Sequence, residues 1–394
     1  MCWLPWDPGS ARNSCSYYGE PVRGKNRTNT DVMVIGAGPA GLATALAARA
    51  AGFEVTVADH AVPPIDKACG EGIMPDGLAA LAALGVTVPE EKAFPFCGIR
   101  FVEKDVAVEA VFPKGVGLGV RRTVLHELLT SKAEEVGVEM RWGARVGEVA
   151  GDHVTIDGEP IQCRWVVGAD GHASMVRNRI GIGRVRTELR RFGFRQHYAI
   201  APWTDRVEVY WSNCGQVYVT PVAENEVCVA LITSDPHIRI GEIPSAFPEL
   251  ARRLAGARES SRAQGAITTT RQLDSVFAGN IALVGEASGS VDAITGEGMS
   301  LGFQQARAVV NAMRSGSLQP YQDAHREIGK NPRRMALLMM MLGNRPWLRH
   351  RTLRALASRP EVFAQMLSVH VGESRVRDFG LERALSLGWS MLKA

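Results

Sequence analysis

The chain lacks the marks of a nucleic-acid-binding, disulfide-stapled or membrane-spanning protein. Its 45 Lys and Arg against 41 Asp and Glu leave a formal charge of +4, too small an excess over 394 residues to argue for a nucleic-acid partner. Seven cysteines, at 2, 15, 69, 97, 163, 214 and 228, are odd in number and scattered, with no C-x-x-C pair. That usage indicates neither a zinc site nor a disulfide framework, so no metal is expected, and a reducing, cytoplasmic setting fits it. No run approaches the ~20 apolar residues of a membrane span. Residues 1–30 have no hydrophobic periodicity and no apolar stretch of the signal-peptide kind, and read as a disordered extension. What is present is ample apolar content, 46% of the chain, enough for one large or two ordinary domains with real cores.

Residues 34–41, "VIGAGPAG", carry glycines at Gly36, Gly38 and Gly41. The context is a β-branched run (31–35), the glycine turn, an Ala-rich stretch (39–52) ending at Gly52, and a second β run (54–59) closing on Asp59. Strand, turn, helix, strand and acid in that order predict a dinucleotide-binding unit. Gly36 makes the tight turn, Gly38 lets the backbone approach a pyrophosphate, and Gly41 lets the helix pack on the strand. Free N–H groups and the dipole at the helix N-terminus favour an anion there. Asp59 is placed to accept both ribose hydroxyls, which disfavours a 2′-phosphate and hence NADP in this site. "GVGLG" (115–119) has no Ala-rich helix or strand-plus-acid after it, and predicts no second unit of this kind.

Two further stretches have the same logic. "WVVGADGHASMVRNRIGI" (165–182) is an apolar strand ending in Asp170-Gly171, then a helix. "NIALVGEASGSVDAITGEGM" (280–299) is a buried strand, the carboxylate of Glu286 and a glycine-rich turn that opens a long helix. Both put polar groups at the end of a buried parallel strand, where open α/β sheets bind ligands. With these three motifs in order, residues 31 to 315 resemble the FAD-dependent oxidoreductases of the para-hydroxybenzoate hydroxylase fold. That superfamily includes aromatic-ring monooxygenases, flavin-dependent halogenases and geranylgeranyl reductases.

The resemblance implies FAD, bound without a covalent link, and NAD(P)H as a visiting co-substrate. It places Gly36, Gly38, Pro39, Ala40, Gly41, Asp59 and His60 on the ADP half and Val146 at the adenine. Arg122, in an Arg-x-x-Leu helix, reaches toward the phosphates, with Arg121 as its rival. Lys67, Asp170, Gly171, Gly285 and Glu286 belong to the same cofactor site. Glu286 stands where the family has an aspartate that accepts from the ribityl chain, a departure by one methylene. Gly296, Gly298 and Met299 open a helix whose N-terminus points at flavin N1 and O2, where reduced flavin is negative.

The implied fold class is α/β: a Rossmann-like three-layer FAD-binding domain, an inserted antiparallel β-sheet substrate domain and a helical C-terminal cap. The expected segments are 31–95, 116–184 and 272–328 for the FAD domain, 96–115 and 185–271 for the substrate domain, and 329–394 for the cap. Alternating β runs in 185–271 support the sheet, with strands near 99–112 joining it. Arg195, His197, Tyr198, Tyr210, Trp211 and Tyr218 are its candidate pocket residues, divided between two faces by the strand period. Residues 329–360 contain eight Lys or Arg and no acid. With the Met-rich run 335–342 they fit either a solvated helical cap, the favoured reading, or peripheral membrane contact through 330–360.

The reaction divides two ways. An NAD(P)H-dependent monooxygenase acting on a small aromatic or polyketide-like substrate is favoured by the breadth of that activity in the fold. The alternative is a geranylgeranyl-reductase-like enzyme that saturates isoprenoid double bonds, because "KACGEG" (67–72) resembles that branch's loop and makes Cys69 the candidate catalytic residue. A flavin-binding protein without turnover is a third reading. Halogenation is disfavoured, since the W-x-W-x-I-P signature is missing and Phe96 occupies the lysine position.

Overall fold

The computed structural model describes residues 29–182 and 185–375. The expected N-terminal extension falls outside them up to residue 28, and so does 376–394 of the expected cap; the first strand already begins at Asn29. Five strands run parallel in the order Ile281–Leu283, Glu159–Gly168, Asn29–Ile35, Val55–Asp59 and Glu139–Trp142. Val32 sits opposite Val55 on one side and Trp165 on the other, and Ile35 opposite Gly168. The near-continuous β-branched sequence of the first strand follows from this position, because both its faces are covered. Val32, Val34 and Val57 pack under Leu42, Leu46, Phe303 and Val310 of two helices, Pro39–Ala50 and Gly298–Arg314. Met33, Ile35 and Val166 face the opposite side, where Val154 and Leu283 cover them.

A second sheet stands over the C-terminal ends of these strands. The fifteen-residue strand Val185–Ala199 pairs antiparallel with both Glu226–Thr233 and Gln264–Leu273. The order continues through Gly215–Ala223 and Arg206–Ser212 to Gly98–Glu103 and Val106–Val111. The strands near 99–112 therefore join this sheet, and one pairing is parallel: Arg206 sits opposite Gly98 and Tyr210 opposite Val102. A pair drawn from separate stretches of chain is free of the antiparallel constraint a hairpin imposes. The period of two sorts the sheet's side chains. Tyr210, Val217 and Val229 pack on Ile243, Phe247 and Leu250 behind the sheet, while Phe101, Val207 and Val209 face the other way.

"GVGLG" forms part of a small three-stranded sheet instead of a nucleotide turn. A Cβ on Gly119 would lie 1.7 Å from the Pro221 carbonyl oxygen and one on Gly117 would lie 2.3 Å from the Phe96 ring, so these glycines serve close packing. Helices Lys330–Asn344, Pro346–Ala357 and Pro360–His370 then close one end, burying Met339, Leu353 and Phe363 against Phe101 and Trp211.

Candidate active site

The parallel sheet, the overlying antiparallel sheet and the C-terminal helices enclose one cavity of about 1280 Å³. Every residue expected to meet the cofactor lines it except Gly41, which sits behind it. A Cβ on Gly41 would come within 1.9 Å of the Gly36 carbonyl oxygen, and one on Gly36, at φ 105°, within 2.5 Å of the Ala169 oxygen. Both positions are closed by backbone. Gly38 is different: nothing lies within 4 Å of its would-be Cβ, so the bare backbone faces the cavity at the start of the 39–50 helix, next to Pro39 and Ala40.

Asp59 is fixed at the end of its strand. Its carboxylate accepts from Ala37 N (2.7 Å) and Ala61 N (2.8 Å) and lies 3.2 Å from His60 Nδ1. Arg121 and Arg122 separate cleanly. Arg121 turns to Glu226 (3.2 Å), whereas Arg122 lines the cavity and its Nε is buried with no hydrogen-bond partner. Asp170 accepts from Val176 N (3.0 Å) through one oxygen, and its other oxygen is buried and unpartnered. An orphaned donor and an orphaned acceptor on the wall of a cavity fit a polar ligand with both kinds of group, as a dinucleotide has. Val146 and Gly171 lie along the same wall. Glu286 accepts from Lys67 Nζ at 2.5 Å, a half-exposed ion pair on the cavity wall. Gly285 N–H donates to Gln305 Oε1 (2.8 Å), and Gly296 (φ 71°), Gly298 and Met299 lead into the 298–314 helix.

The loop around Cys69 holds more than its thiol. Cys69 is a free, half-buried cysteine on the cavity wall, and its Sγ accepts from Glu71 N at 3.4 Å. Glu71 adopts φ 58°, a left-handed conformation that costs a non-glycine residue of order 1 kcal/mol or more unless its surroundings hold it. They do. Its carbonyl accepts from Val120 N (2.8 Å), Oε1 accepts from Arg122 N (2.9 Å) and Oε2 meets His197 Nε2 at 2.6 Å. Arg195, which is donor-only, lies 3.1 Å from His197 Nδ1, so that nitrogen accepts and Nε2–H donates to Glu71. Arg195 also donates to Asp66 at 2.5 Å. Glu71, Arg195 and His197 are each at most 2% exposed.

Cys228 completes a cluster with Glu71 and His197 whose possible metal-binding atoms lie within 4.8 Å of one another. The His–Glu hydrogen bond already uses the atoms an ion would need, and burial pushes the Cys228 thiol well above its ordinary value, so it stays protonated.

Of the sheet residues singled out in the sequence, Arg195 and Tyr218 line the cavity, and the Tyr218 hydroxyl donates to the Ile294 carbonyl (2.6 Å). Tyr210 faces away and donates to Glu208 (2.7 Å), Trp211 is core, and Tyr198 donates to Gln196 (3.3 Å). The sequence reading passed over Glu71, Asp66 and a pair at the far end, Glu297 and His370. Glu297 Oε2 and His370 Nδ1 are 3.7 Å apart, buried, and neither has a hydrogen-bond partner. Burial, reinforced by Asp76, pushes Glu297 up to about 8, while burial pulls His370 down. An acid inside "GEG", between two glycines that shape a turn, was the one signal that could have marked it.

The arm of the cavity beyond these polar groups is apolar. Phe101 and Val209 of the sheet face Met335, Met339, Phe363 and Leu367 of the C-terminal helices across it.

A parallel sheet with a glycine cradle at its C-terminal edge, roofed by an antiparallel sheet, defines a flavin-dependent oxidoreductase. Residues 29–315 match the FAD binding domain family, and the chain belongs to it. FAD is its cofactor. It is 30% identical over 327 residues to the menaquinone reductase of Mycolicibacterium smegmatis, covering 75% of this chain and 79% of that protein. It is 26% identical over 317 residues to the 12-dehydrotetracycline 5-monooxygenase/anhydrotetracycline 6-monooxygenase of Streptomyces rimosus, covering 70% and 61%. A flavoprotein/dehydrogenase from Cytophaga hutchinsonii shares the fold, with a TM-score of 0.79 at 16% identity over 93% of this chain and all of that one.

Proposed function

We propose that the protein is an NAD(P)H-dependent reductase that saturates an isoprenoid carbon–carbon double bond in a long apolar molecule, such as the prenyl tail of a quinone, in a cytoplasmic setting. This reverses the preference drawn from sequence. The apolar arm between the sheet and the C-terminal helices carries the reading: beyond the residues assigned to the cofactor, Phe101, Val209, Met335, Met339, Phe363 and Leu367 line the same cavity and offer a chain-like substrate a largely apolar wall. The likeness to a menaquinone reductase over three quarters of the chain supports it.

In this reading Gly36, Gly38, Pro39, Ala40 and Asp59 hold the ADP half, with His60 and Val146 beside it and Gly41 keeping the helix on its strand. Arg122 meets the phosphates through its free Nε, Asp170 and Gly171 receive polar atoms at the strand end, and Gly285, Glu286 and Lys67 take the ribityl chain. Gly296, Gly298 and Met299 bring a helix N-terminus to the ring. FAD, reduced by NAD(P)H, supplies the hydride. Cys69 supplies the proton: its S–H bond breaks, a C–H bond forms on the neighbouring alkene carbon, and solvent reprotonates the sulfur. Arg195, His197 and Glu71 fix the loop that carries this thiol.

A hydroxylase is the second reading, and one observation favours it: Arg195 lines the cavity with an Nε–H that has no hydrogen-bond partner, a donor for a phenolic or carboxylate oxygen, although its charge is already paired with Asp66. The test is turnover with NAD(P)H on a prenylated quinone without oxygen and on phenolic substrates with it. The reductase reading expects anaerobic product gaining one H₂, lost ~10²–10⁴-fold in Cys69→Ala as for a proton-transfer group. Product formed only with O₂ and unaffected by Cys69→Ala overturns it.

A further inference from the structure

We propose that the outer face of helices Lys330–Asn344 and Pro346–Ala357 docks on an anionic lipid surface. Eight large hydrophobic residues are exposed among the described residues, and three of them lie here: Leu337 (64% exposed), Met341 (40%) and Trp347 (64%). Arg334, Leu337, Met341 and Asn344 follow at steps of three, four and three, one stripe down the exposed side of the first helix. Arg345 and Trp347 continue it across the joint. The same helix is therefore apolar on two sides, because Met335 and Met339 line the cavity from its inner face. A helix apolar on both sides needs cover on both.

Charge says what covers the outside. Residues 329–360 carry eight Lys or Arg and no acid. Some are used internally: Arg349 donates to Glu103 (2.6 Å), Lys330 to Glu327 (3.2 Å), and Arg354 lies 3.9 Å from Asp105. Arg334, Arg345 and Arg351 are exposed, and no carboxylate pairs with them among the described residues. Unneutralised cations around an exposed tryptophan and two aliphatic side chains fit the boundary between anionic headgroups and acyl chains. No helix among the described residues is long and apolar enough to cross a membrane, so the contact is one of lying on the surface.

The purpose rests on the proposed function. A substrate with a long isoprenoid tail resides in a bilayer, and the helix that would touch the lipid also walls the apolar arm.

The experiment is flotation of the full-length protein with phosphatidylcholine vesicles, with and without phosphatidylglycerol. Binding is expected with phosphatidylglycerol, weakening as salt rises, together with a blue shift of tryptophan emission that Trp347→Ser abolishes. Arg334→Gln/Arg345→Gln/Arg351→Gln should weaken binding roughly a hundredfold, at about fivefold per cation. Leu337→Ser/Met341→Ser/Trp347→Ser should abolish it. These positions are exposed, so thermal unfolding and turnover of a short, soluble prenyl substrate should match wild type. No binding to phosphatidylglycerol vesicles, equal binding by all variants, or an apolar-dependent dimer without vesicle binding overturns the proposal. Vesicle binding without any isoprenoid turnover would instead remove the reductase reading and leave the docking face standing.

Discussion

The two walls of the cavity ask different things of the chain. On the wall built by the glycine turn, several positions are defined by what cannot be there. Gly36 and Gly41 have no room for a methyl group because backbone oxygen already fills it, and Gly38 presents bare backbone to the cavity. On the opposite wall nearly every position is defined by a partner far away in sequence. His197 needs Glu71, Arg195 needs Asp66, and Tyr218 needs the Ile294 carbonyl. The first kind of constraint leaves a spacing in the sequence. The second leaves only a residue type, whose meaning depends on which strand lies beside it.

The sharpest way to break this contrast is within the glycine turn. Gly41→Ala pushes a Cβ into the Gly36 carbonyl and should cost more than ~4 kcal/mol, appearing as loss of soluble protein. Gly38→Val, with open space around its Cβ, should fold without FAD and melt where wild type stripped of FAD melts. If both lose the fold, Gly38 is structural and the division of roles is wrong.

On the opposite wall, Glu71→Ala leaves Arg195 and His197 buried with a charge partner gone, and ~3–5 kcal/mol of stability should go with it. Denaturant midpoints of wild type and variant measure this; a loss below about 1 kcal/mol would mean the network contributes little. A smaller effect is expected at the rim. Glu286→Ala removes a carboxylate that is 39% exposed, so the loss of FAD affinity should sit near ~1.5 kcal/mol, about tenfold, by fluorescence titration.

The smallest effect is a slope. Glu297 titrates near 8 in the fold against an ordinary 4.5, so across that window the folded chain keeps a proton the unfolded chain has released. Its contribution makes stability fall as pH rises. His325, held down to about 4 by burial, and His370, also lowered, act with opposite sign, but only below their ordinary 6.5. Between pH 6.5 and 8 the Glu297 effect is therefore legible, at no more than ~1.4 kcal/mol per pH unit. Melting temperatures over that range should fall less in Glu297→Gln than in wild type, and equal slopes would show that the acid is already ionised.

Much of the fold was legible because it is local. The β-branched run at 31–35, the Ala-rich helix after it and the apolar strand at 281–283 announce a covered parallel sheet, and period-two patterns after 185 announce the antiparallel one. The parallel pairing of 98–103 with 206–212 was not legible, since more than a hundred residues separate the two strands and neither records its neighbour's direction. At the site, the Arg-x-x-Leu pattern put Arg122 ahead of Arg121 but left Arg121 a rival, because what draws Arg121 away is Glu226 on another strand. Glu71 was hidden by its own setting: an acid in a glycine-rich loop reads as solvated, and only the fold shows it 2% exposed.

The position of Glu71 also limits how this protein can be rebuilt. The Glu71 carboxylate accepts from the backbone N–H of Arg122 on one side and from His197 of the antiparallel sheet on the other. Exchanging the upper sheet for that of a relative, to change what the enzyme accepts, would strand a carboxylate in the lower half unless residues 66–71 travelled with the graft. The unit of interchange is thus the sheet plus this six-residue loop, and a chimera cut at either sheet boundary alone should lose flavin along with its old specificity.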